Sequence, residues 1–169
     1  LDRPLDGRFL ESQFFKPKER SPVARAYVRA RGGDRMCSYG DVAGVSERVD
    51  ETLANVLRTE VSDLIIAPGY EPEALDILKS KKRGGFLVIE VDPGYEPPAL
   101  ETREIYGIRL QQKRNDAIVS KEHFANVVSR EKDIPADVLE TLIVATTALK
   151  YTQSNSVCVA YDGQVIGMG

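Results

Sequence analysis

The sequence has few of the side chains that build metal sites and disulfides. It contains one histidine, His123, and two cysteines, Cys37 and Cys158, which lie far apart in the chain. A zinc site needs three or four converging cysteine, histidine or carboxylate ligands, so we expect no zinc. We expect the two cysteines to be reduced and buried rather than joined in a disulfide. His123 is expected to lie on the surface of a helix rather than to act as a catalyst.

Long apolar runs and an excess of positive charge are also missing. No apolar stretch approaches the roughly 18 residues of a membrane-spanning helix, and residues 1–10 lack the apolar segment of a signal peptide. The net charge is −3, so the composition gives no basic surface for nucleic acid. The glycine-rich phosphate loops and the H-x-E…P-C-x-x-C pattern of zinc deaminases are not found. We therefore expect neither a membrane nor a nucleic-acid partner.

Helix and strand signals alternate through the first half of the chain. Ser21 followed by Pro22 is typical of a helix start, and so is Asp50. The apolar runs LIIA and FLVIEV are typical of buried strands. The alternation predicts an α/β domain over residues 21–169 with at least some parallel strands, after an irregular segment at 1–20. The predicted helices are 22–32, 50–61 and 71–82, and the predicted strands are 37–46, 64–67 and 86–91.

The second half has a less regular pattern. A proline-rich turn segment at 92–100 is followed by one long strand over 102–116 and a short helix over 122–129. A strong helix is predicted over 134–151 because its apolar residues recur with helical spacing. The last residues, 156–169, read as a hairpin because an Asp-Gly pair separates two apolar segments.

Three polar or glycine-containing segments lie at the ends of predicted elements. They are SYGD at 38–41, EVSD at 60–63 and TQSNS at 152–156. Ligand sites of α/β proteins concentrate at such ends. The structural alternative is that a glycine relieves packing and that aspartate, serine and asparagine serve turns. The third segment most favours a site, because five small polar residues in a row offer many hydrogen-bonding groups.

Several longer segments together resemble one known family. Those segments are SPVARAYVRARGGDRMCSYGD, EVSDLIIAPGYEPEAL, GIRLQQKRND and LIVATTALKYTQSNSVCVAYDGQVIGMG. They resemble the transformylase half of AICAR transformylase/IMP cyclohydrolase, and the resemblance covers about residues 21–169. It implies a cytoplasmic homodimer and a three-layer, cytidine-deaminase-like α/β fold with a mixed sheet and no zinc. It also implies formyl transfer from 10-formyltetrahydrofolate to the amine of AICAR, giving FAICAR, in purine biosynthesis.

The resemblance also assigns roles to individual residues. Gly40 would contact the AICAR nucleotide through its backbone, and Asp63 would hold the nucleotide by its carboxylate. Asn155 would lie beside the amine and the formyl carbonyl, where its amide can donate to the developing oxyanion but cannot act as a base. A monovalent cation, such as potassium, would lie near Thr152 and Ser154.

The chain also departs from the family pattern. The family's Lys-His pair should precede SPVARAY, and no Lys-His dipeptide occurs anywhere in the sequence. We therefore expect the chain to be a portion of a longer polypeptide, dependent on the rest of the transformylase and inactive in formyl transfer alone. The alternative is a non-catalytic nucleotide-binding or dimerisation module of the same fold.

Overall fold

The computed structural model describes residues 21–169, and the prediction of an irregular segment at 1–20 lies outside these residues. The first half alternates helices and strands as predicted. Each strand is preceded by a helix, so the order is αβαβαβ. The elements are α1 (Pro22–Arg31), β1 (Asp41–Gly44), α2 (Glu51–Thr59), β2 (Ser62–Ala67), α3 (Pro72–Ser80) and β3 (Leu87–Glu90).

The helices begin where their capping residues predict. The Ser21 side chain accepts a hydrogen bond from the Ala24 amide at 3.3 Å, and Pro22 occupies the first turn of α1. The Asp50 carboxylate accepts from the Leu53 amide at 2.8 Å and caps α2. Each cap satisfies an amide that the helix itself leaves without an acceptor, which fixes the helix start.

The three strands form a parallel sheet in the order β1-β2-β3. The predicted strand at 37–46 is shorter than expected, since only Asp41–Gly44 pairs with β2. Ile65 of β2 lies opposite Ala43 of β1 and Val88 of β3. These residues face the helices. The core between sheet and helices consists of Ala24, Tyr27, Val28, Ala43, Val49, Leu53, Ala54, Val56, Leu57, Ile65, Ala67, Tyr70, Ala74, Leu78 and Phe86.

The other face of this sheet is apolar and largely uncovered by the described residues. Val42, Leu64 and Leu87 lie opposite one another across the three strands, so their side chains share that face. Val42 is 61% exposed and Leu87 is 58% exposed. The prediction that FLVIEV is a buried strand is therefore right about the strand and wrong about its burial. A run of apolar residues predicts two covered faces, and only one is covered here.

The second half contains two antiparallel hairpins and one long helix. The predicted strand over 102–116 is wrong, because β4 (Leu100–Ile105) and β5 (Ile108–Lys113) pair as a hairpin. Tyr106 and Gly107 between them both have positive φ, 51° and 78°, which is the backbone of a two-residue hairpin turn. The predicted helix at 122–129 is also wrong, since only Lys121–Phe124 forms a single 3-10 turn.

The predicted helix at 134–151 and the predicted final hairpin are both confirmed. Helix α4 (Ala136–Lys150) packs on β6 (Cys158–Tyr161) and β7 (Gln164–Met168). Asp162 and Gly163 connect the two strands with φ of 48° and 68°. Parallel and antiparallel pairings thus both occur, in three separate sheets of the described chain. The domain is α/β.

The two cysteines and the histidine are all at least partly exposed. Both cysteines are free, as predicted, but Cys37 is exposed and Cys158 only half-buried, so the prediction of burial is wrong. Hydrogen bonding to Asp34 and its negative charge raise the pKa of the Cys37 thiol. His123 is exposed on the 3-10 turn, where its ring accepts a hydrogen bond from the Ser120 amide at 3.2 Å.

No helix in residues 21–169 has the length and apolar character needed to cross a bilayer.

Truncation of a buried and of an exposed leucine should affect the free energy of unfolding differently. Leu53 is fully buried between α2 and the sheet, whereas Leu100 on β4 is 49% exposed. Leu53→Ala should lower the free energy of unfolding by about 2–5 kcal/mol, because it removes buried contacts and leaves a cavity. Leu100→Ala, the matched control, should change it by about 0.5 kcal/mol or less. Urea unfolding of both variants measures the difference, and equal losses would show that the core is misassigned.

Candidate functional site

Two of the predicted site residues, Gly40 and Asp63, lie together at one edge of the parallel sheet. Gly40 immediately precedes β1 and Asp63 lies near the start of β2, so the edge is formed by the amino ends of these strands. Gly40 has φ of +78°, and its amide donates to the Val61 carbonyl at 2.9 Å. A Cβ at Gly40 would lie 3.8 Å from Oδ2 of Asp63. The glycine thus leaves open space beside an exposed carboxylate oxygen.

A largely buried ion network adjoins the Gly40–Asp63 edge. The Arg31 guanidinium lies 2.8 Å from Oδ1 of Asp41 and 3.1 Å from Oε2 of Glu60. The Tyr27 hydroxyl donates to Oδ2 of Asp41 at 3.0 Å, and the Ser62 hydroxyl donates to the Asp41 carbonyl at 3.1 Å. Burial, and then the charge of Asp41, raise the pKa of the Tyr27 phenol above its usual value. The network fixes the residues on both sides of the Gly40–Asp63 edge.

Two lysines after α3 also reach this edge. The buried Lys81 ammonium donates to the carbonyls of Leu57 and Glu60, at 2.7 and 2.5 Å, where α2 ends. The next residue, Lys82, forms an ion pair with Oδ1 of Asp63. Neither lysine is signalled by the sequence, because KSKKRG reads as the end of a helix with ordinary basic residues.

The third predicted segment, 152–156, lies at the end of α4. The Thr152 hydroxyl donates to the Ala148 carbonyl at 2.8 Å and contacts the Met168 sulfur at 3.1 Å. Ser154 and Asn155 are exposed. Within the described residues no hydrogen bond or ion pair joins Asn155 to Gly40 or Asp63. The structure therefore brings together two of the three predicted site residues, and potassium at Thr152 and Ser154 stays a prediction.

A cavity of about 610 Å³ lies between these two regions. Ser38 and Asp41, on either side of Gly40 in the sequence, line one wall. Met168, the residue that Thr152 contacts, lines another. Gln164 is buried in the lining, and its side-chain nitrogen has no hydrogen-bond partner within residues 21–169. The remaining lining residues are mostly apolar or glycine, apart from the charged Arg29 and Asp34, and they come from α1, the segment 33–37, β1, α4 and the β6–β7 hairpin. The volume is within the roughly 300–1,000 Å³ of small-molecule sites.

The described residues contain no group of three or more histidine, cysteine, aspartate or glutamate side chains placed to hold a metal ion. The polar side chains in the cavity lining are Arg29, Asp34, Cys37, Ser38, Asp41 and Gln164, and the Asp63 carboxylate lies close by, beside Gly40. Such groups bind and orient a polar ligand by hydrogen bonding.

Comparison with known proteins gives one family. The profile of the AICARFT/IMPCHase bienzyme family matches residues 18–169. The bifunctional purine biosynthesis protein PurH of Leuconostoc citreum is 32% identical over 149 residues, which is 88% of this chain and 29% of the relative. The protein of the same name from Lactobacillus acidophilus is 31% identical over 147 residues, 87% of this chain and 28% of the relative. The chain thus spans less than a third of the length of these relatives.

The environment of Tyr27 predicts a loss of stability at alkaline pH. A phenol pKa that is higher in the folded than in the unfolded chain, where it is about 10, stabilises the fold fully below that value. The stabilisation is then lost as the pH rises from about 10 towards the folded pKa. Tyr27→Phe should make the free energy of unfolding fall less steeply over this range, as measured by urea unfolding across pH. Tyr39→Phe is the control, since Tyr39 is 75% exposed; an equal effect of both variants would contradict the assignment.

Proposed function

Since the chain belongs to the AICARFT/IMPCHase bienzyme family, we propose that it supplies part of the AICAR formyltransferase of purine biosynthesis. The assignment to the transformylase half rests on the segments SYGD, EVSD and KYTQSNSVC, which resemble that half. The parallel sheet with its intervening helices supports a cytidine-deaminase-like arrangement for this part. The substrates we propose are AICAR and 10-formyltetrahydrofolate.

The observation that carries the proposal is the proximity of Gly40 to the Asp63 carboxylate, because a Cβ at Gly40 would lie 3.8 Å from Oδ2 of Asp63. A glycine at positive φ exposes its backbone to a ligand without a side chain in the way. An exposed carboxylate beside it accepts hydrogen bonds from hydroxyl or amino groups, which AICAR carries on its ribose and its heterocycle. The adjoining cavity of about 610 Å³ has room for a molecule of nucleotide size. Together these features suit a nucleotide-binding edge.

The proposed reaction also assigns a task to Asn155. The amine of AICAR attacks the formyl carbon, a C–N bond forms, and the bond from that carbon to N10 of the folate breaks. Negative charge develops on the formyl oxygen, and the Asn155 amide can donate a hydrogen bond to it. The proton leaves the amine for a base other than Asn155, since an amide does not accept a proton near neutral pH. N10 of the folate takes up a proton as it leaves.

A dimerisation module that binds nucleotide without chemistry is the second candidate. It is favoured by the apolar sheet face of Val42, Leu64 and Leu87 and by the exposed apolar side chains of the β4–β5 hairpin. Exposed apolar surfaces of this kind mark contacts with other proteins. This candidate predicts a stable dimer whose AICAR binding does not require Asn155, so binding measurements separate it from the first.

Titration calorimetry with AICAR tests the proposed function. The chain should bind AICAR, and both Asp63→Asn and Asn155→Ala should weaken binding about tenfold or more, because the first removes a carboxylate acceptor and the second an amide proposed to lie beside the AICAR amine. Asp76→Asn on the exposed side of α3 is the charge-matched control and should bind like the wild type. A formyl-transfer assay with 10-formyltetrahydrofolate should show no turnover by the 169-residue chain. Binding that neither site variant weakens would refute the site, and turnover would refute the dependence on further residues.

A further inference from the structure

The turn after α3 has a strained backbone at two charged residues. Lys82 has φ of 51° and ψ of 33°, and Arg83 has φ of 55° and ψ of 37°. Gly84 follows with φ of +87°. Consecutive left-handed residues are uncommon for anything but glycine, because the Cβ crowds the backbone. Strain of this kind persists where the surrounding structure imposes it, and it is frequent at functional sites.

Lys81 shows what fixes the turn in place. Its buried ammonium donates to two carbonyls at the end of α2 and lies 5.2 Å from the centre of the Phe86 ring. These contacts anchor the first residue of the turn next to the start of β2. The left-handed backbone of Lys82 then directs its side chain to Asp63, where it pairs with Oδ1.

The pair leaves the two oxygens of Asp63 in different surroundings. Oδ1 contacts the Lys82 ammonium, whereas Oδ2 lies beside the open space at Gly40. A carboxylate with one oxygen held in this way has its second oxygen oriented before a ligand arrives. Such preorganisation reduces the entropy lost on binding.

We propose that Lys82 is a positioning residue for nucleotide binding, which holds Asp63 so that Oδ2 accepts hydrogen bonds from the ribose hydroxyls or the amine of the nucleotide. The inference rests on the proposed function. It explains why a lysine occupies a position where glycine would relieve the strain. The ion pair is exposed at both ends, with the Lys82 side chain 40% and the Asp63 side chain 61% accessible, so its contribution to folding is small.

Replacement by glycine separates positioning from a merely structural role. Lys82→Gly removes the ion pair and also relieves the strained backbone, so stability should stay equal or rise while AICAR binding weakens about fivefold to tenfold. Arg83→Gly is the matched control, because it relieves the same kind of strain without touching Asp63. It should leave AICAR affinity unchanged. Lys82→Arg should retain affinity within about threefold, since the guanidinium also pairs with a carboxylate.

A double-mutant cycle with Asp63→Asn then tests whether Lys82 acts through Asp63. In the Asp63→Asn background, Lys82→Gly should have no further effect on AICAR binding. Affinity and urea unfolding are measured on the 169-residue chain for all variants. If the wild type binds AICAR and Lys82→Gly binds equally well, the inference fails and the proposed function stands. If the wild type binds no AICAR, the proposed function fails and the inference falls with it.

Discussion

The arrangement of the candidate site depends on one buried guanidinium. Arg31 ends α1, Asp41 begins β1 and Glu60 follows α2, and the Arg31 side chain contacts both carboxylates. A single cation thereby joins the ends of two helices to the start of a strand. Removing one partner of such a pair would leave an uncompensated buried charge, at a cost of about 3–5 kcal/mol. The position of Gly40, between this network and Asp63, follows from these contacts rather than from the glycine itself.

The two basic residues near the edge have different energetic roles. The Arg31 pairs lie where water has little access, so the network is held tightly. The Lys82–Asp63 pair is exposed, and pairs of that kind contribute about 0–1 kcal/mol to stability. Left-handed backbone at Lys82 and Arg83 costs about 1–2 kcal/mol per residue. The strain therefore exceeds the stabilisation that the ion pair gives to folding, so folding stability alone does not account for a lysine at this position.

Local signals in the sequence predicted much of the fold. Ser21 and Asp50 marked helix starts, and the Asp162–Gly163 pair marked the final hairpin, because each acts on its nearest neighbours in the chain. The hairpin turn at Tyr106–Gly107 was missed because a tyrosine at positive φ lacks the usual Asn-Gly or Asp-Gly signature. The exposure of β3 was missed because an apolar run does not reveal which neighbours cover it. That information is tertiary.

The site was only partly accessible to the same reasoning. The segments that hold Gly40, Asp63 and Asn155 were indicated by their place at the ends of predicted elements, and the roles of the three residues by family resemblance. Arg31 and Lys82 were not predicted at all. Tyr27 and Arg31 are four residues apart on α1 and lie on one helical face, which is a weak signal for shared contacts. Moreover, α/β sheets usually bind ligands at the carboxyl ends of their strands. Gly40 and Asp63 lie at the amino ends, so the general rule would have indicated the opposite edge.

The uncovered face of the parallel sheet lies close to the same edge. Val42 follows Gly40 by two positions and Leu64 follows Asp63 directly, and both side chains lie on the open face. Val42 also lines the cavity. A surface that packs on this face and extends past the amino ends of the strands would reduce the access of water to the Lys82–Asp63 pair. Because charges interact more strongly as water is excluded, such packing would strengthen the hold of Lys82 on Asp63. Such a surface would thus link the covering of the apolar face to the order of the Gly40–Asp63 edge.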